Sequence, residues 1–326
     1  MKIKHSTILL VVTCTAFMMI ISCSGAFGTS LAKVTLKIVD EDGKPIQGAQ
    51  VGVGFMIYTK GGWGSTSKHI EGNTNTKGIF EGLAIADNIV DFSVRKDGYY
   101  VSFGTYKFKE SSIGRWQPWD PEITVVLRKI ENPVPMYQRD TKMMHPVLEI
   151  PADGKSVCFD FMESDWVSPY GNGKYSDIFF RLDRKFVSRD DFEGSLTITF
   201  PNKYDGIQLV KYDRKSGSDF KLPRFAPEEG YQAKLVRTFS NKPGEPYNDS
   251  TKEDNNYIFR VRSEEKDGKL IRAMYGKIHG DIQFGMRKHK NASIVFKYFL
   301  NPDYTLNLEN GKNLLTLPDR EIMNSN

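Results

Sequence analysis

The segment Asp42–Val51, DGKPIQGAQV, decides the fold because it joins a tight turn to the start of an alternating strand. Asp42-Gly43 supplies the positive-φ position that such a turn needs, and Pro45 stiffens the exit from the turn. Residues 32–40, AKVTLKIVD, alternate apolar and polar side chains before the turn, and residues 49–59 resume the alternation after it. A period of two indicates half-buried β-strands.

More strands follow at short spacing. Residues 72–83 contain a turn in which Gly78 precedes Ile79 and Phe80, residues 88–100 form a strand that runs into a second Asp-Gly turn, and residues 121–130 form another strand. Short strands separated by turn residues are typical of a β-sandwich. We therefore predict a first β-sandwich domain over residues 31–130.

Three motifs in this region resemble the carboxypeptidase regulatory-like domain, a transthyretin-type β-sandwich. Residues 42–51 look like its opening motif, TNTKGIF (74–80) matches its Thr-(Asp/Asn)-x-x-Gly-x-Phe pattern, and FSVRKDGY (92–99) matches its strand ending in Gly-Tyr. The core-facing side chains expected on this basis are Val51, Phe80, Val94 and Tyr99.

The resemblance implies an accessory, non-catalytic domain of an exported bacterial protein. The zinc-peptidase partner of the family needs a His-x-x-Glu pair, and none of the five histidines has a Glu three residues later. His145 has Glu149 four residues on, but positions four apart in a strand stand some 13 Å apart at about 3.3 Å per residue. We therefore expect no catalytic residues, no metal and no cofactor.

The remainder of the chain is also β-rich. Two prolines in ENPVPMYQRD predict an extended linker over residues 131–139, followed by a second β-rich domain, predicted to be a sandwich, over residues 140–326. One short turn of helix is expected within SRDDFEGS (188–195). Residues 275–315 resemble the C-terminal region of uncharacterised exported proteins that carry the same regulatory-like domain. The prediction for the whole chain is all-β, with two sandwiches in tandem.

The N-terminus indicates export and lipidation. Two lysines precede a mostly apolar run at 7–21, which is shorter than the roughly 20 residues of a membrane-spanning helix and fits a signal peptide over residues 1–22. Ile20-Ile21-Ser22-Cys23 resembles a bacterial lipobox, which implies a lipid anchor on Cys23 and a tether over residues 23–30. An ordinary secretory signal cleaved near SGAFGTS and an uncleaved membrane helix are the alternatives.

Composition and charge fit an exported, lipid-anchored protein. Ser rather than Asp at position 24 favours the outer membrane of the bacterial cell envelope by analogy with Gram-negative sorting. After loss of Cys14 with the signal and lipidation of Cys23, only Cys158 would remain as a thiol, so no disulfide is expected. The formal charge of +5 falls to +3 without Lys2 and Lys4, and no basic block alternates with aromatic residues, which excludes a nucleic-acid partner.

Two functional classes stay open. The first is a non-enzymatic envelope lipoprotein that binds a glycan or an envelope protein, or has a structural role. Its candidate ligand-binding residues are Trp63, Trp116, Trp119 and Trp166, because Trp faces stack on sugar rings, although core positions are the alternative. The second is an envelope hydrolase acting on glycan or peptide through carboxylates of the second domain, with Glu163 and Asp165 beside Trp166 as the best local cluster.

Overall fold

The computed structural model describes residues 28–58, 64–212, 217–286 and 290–316, and this part of the chain is nearly all β. Its one helical element is the 3-10 turn Thr141–Met143, and no helix within these ranges is long and apolar enough to cross a membrane. The strands, in chain order, are β1 Ser30–Val39, β2 Gln50–Tyr58, β3 Ser65–Asn73, β4 Ile79–Ala86, β5 Ile89–Arg95, β6 Ser102–Lys107, β7 Glu110–Ser112, β8 Arg115–Gln117, β9 Glu122–Val126, β10 Val134–Asp140, β11 Glu149–Pro151, β12 Asp153–Asp160, β13 Asp165–Trp166, β14 Ile178–Ser188, β15 Asp191–Thr199, β16 Gly206–Lys211, β17 Gly217–Ser218, β18 Lys234–Asn241, β19 Asn248–Asp249, β20 Asn255–Lys266, β21 Lys269–Phe284, β22 Asn291–Asn301 and β23 Asn310–Asn313.

The N-terminal half packs two five-stranded sheets around one core. In the first sheet β1 pairs antiparallel with β4 and parallel with β8 and β9, and β7 extends the sheet beyond β8. The second sheet has the order β17-β6-β5-β2-β3. Val34, Leu36 and Ile38 of β1 are fully buried between the sheets, as the alternation predicts. The prediction of an all-β, sandwich-like chain is confirmed.

Two polar side chains fix the turns at one end of this core. Gly43 has φ +79°, and the Asp40 carboxylate accepts the main-chain N–H groups of Asp42 and Lys44 at 3.0 and 2.8 Å. The buried Thr74 hydroxyl accepts from Ala49 N–H at 2.9 Å and donates to the carbonyl of Ile46 at 2.6 Å. The first and second motifs of the sequence are therefore bonded to each other.

The core-facing prediction for these motifs is confirmed in two cases and holds in part for the other two. Val51 and Val94 are fully buried. Phe80 and Tyr99 are half-buried and pack against the same core from its margin.

The C-terminal half packs a seven-stranded sheet on a six-stranded one. The seven-stranded sheet has the order β16-β20-β21-β22-β10-β23, with β11 on β22, and the six-stranded sheet has the order β13-β12-β14-β15-β18-β19. Between them lies an aromatic core in which Phe159 meets Trp166, Phe296 and Tyr298 edge to face.

Two local expectations differ from the structure. Most of the predicted linker over 131–139 lies in strand β10, which pairs with β22 and β23 and is thus part of the seven-stranded sheet rather than a spacer. Residues 188–195 form no helical turn, because they continue the β14–β15 hairpin in which Ser188 faces Asp191. In both cases the hydrogen bonds to a neighbouring strand outweigh the structural preference that the local composition indicates.

The two halves contact each other directly. Strand β17, although it belongs to the C-terminal half by sequence, adds to the edge of the N-terminal sheet at β6. Phe220 is buried beside Tyr100, with ring centroids 5.1 Å apart. Arg224 pairs with Glu309 at 2.7 Å and with Glu41 at 3.1 Å, so charged groups from both halves meet at this junction.

Candidate functional site

A cleft of about 800 Å³ opens at one end of the C-terminal sandwich. One wall runs from the end of the 3-10 turn into the start of β11 and presents His145, Val147 and Glu149. The opposite wall is the loop around β13, which presents the side chains of residues 163–166 and Tyr170. The cleft combines apolar, aromatic and carboxylate groups, as ligand sites commonly do.

The loop that forms the second wall is anchored by two buried carboxylates on one arginine. Asp160 and Asp177 stand at its two ends, and Arg262 of β20 reaches them at 2.8 and 2.6 Å. Asp160 also accepts main-chain N–H groups of Met162 and Lys174, both at 2.9 Å. These bonds close the ends of the loop over residues 160–177 and hold its side chains over the cleft.

Burial raises the pKa of the Asp177 carboxyl, and the Arg262 guanidinium opposes that rise without cancelling it. The aromatic ring of Tyr175 covers Arg262, whose Cζ lies 4.7 Å from the ring centroid. This cluster is packed and internally satisfied, so it positions the loop and is not itself open to a ligand.

The predicted acidic cluster does line the cleft, but each carboxylate already has partners. Glu163 pairs with the Lys174 ammonium at 2.6 Å, and this bond raises the pKa of Lys174. Asp165 accepts main-chain N–H groups of Trp166 at 2.7 Å and Asn172 at 2.9 Å. The two side chains are therefore oriented hydrogen-bond acceptors at the edge of the cleft.

The aromatic groups of the cleft differ in exposure. Trp166 is only 5% exposed, and its ring packs edge to face against Phe159 and Phe180. Its indole Nε1 is buried with no hydrogen-bond partner among the residues the structure describes. Tyr170 is 45% exposed and offers a free ring to the same cleft. Sequence reasoning missed Tyr170, although an aromatic residue in the turn-rich stretch SPYGNGK was a usable signal.

The other tryptophans are not gathered at this cleft. Trp116 is buried in the N-terminal core, where its Nε1 donates to the carbonyl of Ala86 at 2.8 Å and its ring stacks on Phe108. Trp119 is half-buried, with the Arg115 guanidinium 4.8 Å from its ring centroid. The faces of Trp116 and Trp166 are covered, so these two residues occupy the core positions that the sequence left as the alternative. Trp63 and Cys23 lie outside the described residues.

The groups that a hydrolase would need lie elsewhere. Among the residues that the structure describes, burial raises the pKa of the carboxyls of Asp177, Asp205 and Asp219, and none of these three lines the cleft. Burial also raises the pKa of the Cys158 thiol, which favours its protonated, unreactive form. Within the described ranges no three His, Cys, Asp or Glu side chains are grouped as a metal would require.

Comparison with known proteins adds little to this description. No family model and no curated protein matches the chain. Among solved structures it is similar to the major pilin subunit BcpA of Bacillus cereus (13% identity over 88% of this chain and 99% of the other, TM-score 0.23) and to a point mutant of the shaft pilin SpaA of Lactobacillus rhamnosus GG (11%, 76% and 93%, TM-score 0.24). A third is 3-chlorocatechol 1,2-dioxygenase of Rhodococcus opacus 1CP, with 9% identity over 32% of this chain and TM-score 0.26, and the match spans 62% of that enzyme's length. These TM-scores are low, so neither fold nor function is taken from them.

Proposed function

We propose that this protein is a non-enzymatic, lipid-anchored envelope protein that binds a saccharide in the cleft between residues 144–151 and 163–170. The observation that carries the proposal is the exposed ring of Tyr170 beside the fixed carboxylates of Glu163 and Asp165. Sugar rings combine an apolar face with many hydroxyl donors, so an aromatic face next to carboxylate acceptors suits them.

The arrangement supports binding more than hydrolysis. A glycosidase needs one carboxyl with a raised pKa as its general acid and a second carboxylate opposite it. Asp177, at the end of this loop, is a carboxyl with a raised pKa. It is enclosed with Arg262 rather than open to the cleft. Glu163 and Asp165 are held by a lysine and by main-chain N–H groups. Such acceptors can bind hydroxyl groups without transferring protons.

The anchor and the family are part of the same proposal. The lipobox-like Ile20–Cys23 supports attachment of acyl chains to Cys23, and two or more chains anchor a protein stably to a membrane. The bonded pair of motifs at residues 42–51 and 74–80 supports membership of residues 31–130 in the carboxypeptidase regulatory-like family. We propose the bacterial outer membrane as its location, because Ser rather than Asp follows Cys23.

Binding is tested with the detergent-solubilised full chain on a glycan array, followed by titration of the retained glycans. Tyr170→Ala removes the exposed ring and should weaken binding by about tenfold, since each 1.4 kcal/mol is a factor of ten. The matched control is Tyr247→Ala, which removes a ring that is 62% exposed away from the cleft. Unchanged affinity in Tyr170→Ala would place binding elsewhere, and an array without any retained glycan would contradict a saccharide ligand.

The anchor is tested by changing Cys23 alone. Cys23→Ala should move the protein from the membrane fraction to the soluble fraction and abolish incorporation of labelled palmitate, because the sulfur is the proposed attachment point. Cys158→Ala is the control, since that residue lies within the folded C-terminal half and should leave labelling unchanged. Labelling that persists in Cys23→Ala would refute the anchor.

A further inference from the structure

Lys277 is a fully buried lysine at the junction between the two halves of the molecule. It lies in β21, and its Nζ is 4.6 Å from the ring centroid of Phe220 and 5.0 Å from that of Phe299. A charged ammonium in such surroundings is strongly unfavourable unless it is fully paired. The position therefore needs a chemical explanation that ordinary packing does not supply.

The side chain has one hydrogen bond within the described ranges. Lys277 Nζ lies 2.8 Å from Oδ1 of Asn310 in β23, whereas an ammonium has three N–H donors. Burial, with a further contribution from the Arg128 charge, holds the pKa of Lys277 well below its ordinary value. The neutral amine that results is the nucleophilic form of lysine.

The neighbouring amide is a suitable electrophile. Its Cγ is one C=O bond of about 1.23 Å from Oδ1, so the Nζ–Cγ distance is at most about 4.0 Å, and near-attack contacts are roughly 3–3.5 Å. Asn310 is only half-buried, which leaves a route to solvent for a leaving group.

A buried carboxyl stands next to this pair. Glu309 precedes Asn310 and is fully buried, and its charge acts on Lys277 strongly enough to oppose the fall in the lysine pKa. Its own hydrogen bonds come from Arg224, the Tyr100 hydroxyl and two main-chain N–H groups. Glu309 thus contributes a negative charge near the amine, which stabilises the positive charge that Nζ gains as it attacks.

We propose that Lys277 and Asn310 become joined by an isopeptide bond. Nζ of the neutral lysine attacks Cγ of Asn310, a C–N bond forms, and the bond from Cγ to Nδ2 breaks. One proton lost by Nζ passes to Nδ2, and ammonia leaves. The step conserves charge and requires no oxidant or other reactant.

Such a bond would tie the C-terminal strand into the sheet. Among the described strands, β23 pairs with β10, which is separated from β21 by β22. The bond would therefore link β21 covalently to β23, past the intervening strands β22 and β10 of the seven-stranded sheet.

The test is peptide mapping of the full wild-type chain. Trypsin should release residues 273–287 joined to residues 298–312 as one branched species, lighter than the sum of the two peptides by one ammonia. Trypsin does not cut after an acylated lysine, so no peptide should end at Lys277. Recovery of a peptide ending at Lys277, together with an unlinked 298–312 peptide, would overturn the proposal.

Variants assign the roles. Lys277→Met and Asn310→Ala should each abolish the branched species, whereas Lys297→Met, which removes a half-buried lysine against the same Phe299 ring, should retain the link. Because trypsin no longer cuts after position 297 in that variant, residues 291–312 replace residues 298–312 in the branched species. Glu309→Gln should lower the linked fraction severalfold at early times after synthesis. An unchanged linked fraction in Glu309→Gln would show that the Glu309 charge does not assist the reaction, and loss of the link in Lys297→Met would contradict the pairing of Lys277 with Asn310.

Discussion

At the residue scale, Gly78 and Gly43 illustrate why turn glycines differ in importance. Both have positive φ, +73° and +79°. A Cβ on Gly43 would meet no atom within 4 Å, whereas a Cβ on Gly78 would lie 2.4 Å from the carbonyl oxygen of Ile38. The sequence indicates a turn at both places, but only the fold determines which turn packs against the core strand.

This difference predicts a graded effect of alanine. Gly43→Ala should cost about 1–2 kcal/mol of unfolding free energy, the penalty of a left-handed backbone for a residue with Cβ. Gly78→Ala adds a clash with backbone that cannot move aside, so it should cost about 3 kcal/mol or more. Urea unfolding of both variants measures the difference, and equal midpoints would contradict the close approach.

At the element scale, the loop over residues 160–177 depends on a distant arginine. Asp160 and Asp177 are visible in the sequence as two acids among many. Their partner Arg262 lies 85 residues beyond Asp177 in the sequence. It reaches both carboxylates only because the fold brings β20 next to this loop. Sequence reasoning identified Glu163, Asp165 and Trp166 as neighbours along the chain and could not identify this anchor.

Removal of the anchor should be costly. Arg262→Met leaves two buried carboxylates without a counter-charge, and breaking a buried pair typically costs about 3–5 kcal/mol. Arg272→Met breaks the exposed ion pair between Arg272 of β21 and Glu264 of β20. This variant should lower the unfolding free energy by only about 0–1 kcal/mol. Chemical denaturation of both variants is the measurement. If Arg262→Met loses no more unfolding free energy than Arg272→Met, the loop does not depend on Arg262.

Strand β10 is a second element whose place in the fold differs from the one that its composition predicts. Prolines at 133 and 135 predict an extended segment, and the segment is extended. Its antiparallel partners in β22 and its parallel partner β23 come from residues more than 150 positions away, so pairing could not be foreseen from the local sequence. The division of the chain near residue 131 stays a prediction.

At the scale of the whole molecule, the junction joins the halves through charge. Burial alone would raise the pKa of Glu309, but main-chain N–H groups of Asn132 and Glu131, the Arg224 guanidinium and the Tyr100 hydroxyl together hold that pKa below its ordinary value of 4.5. The pKa of Glu41 is likewise low, because its bonds to Arg128 and Arg224 outweigh the effect of burial.

The sign of the pH dependence follows from these directions. A carboxyl whose folded pKa is depressed stabilises the fold fully above its unfolded pKa, and the contribution is lost as the pH falls through the folded value. The unfolding free energy should therefore decline on acidification below about pH 4.5. Arg224→Met should lower stability at neutral pH and flatten the decline in acid, since the pKa of Glu309 returns toward its ordinary value.

Urea midpoints across the acid range measure both effects. Arg181→Met, which removes a solvent-exposed partner of Asp183, is the control and should leave the acid profile close to that of the wild type. An Arg224→Met profile as steep as that of the wild type would mean that Arg224 is not the group that lowers the carboxyl pKa.

The sequence by itself determined the class of fold and the end-to-end strand pattern of the N-terminal half, because alternation of side chains and turn glycines are local properties of the backbone. It also predicted that Glu163, Asp165 and Trp166 lie together, since they are neighbours in the chain. Only the tertiary structure decided that Trp116 and Trp166 are buried, that Tyr170 faces a cleft, and that Lys277 meets Asn310. Each of these depends on strands far apart in sequence being brought into one sheet or one core, where burial and hydrogen bonding are set by partners that no local pattern identifies.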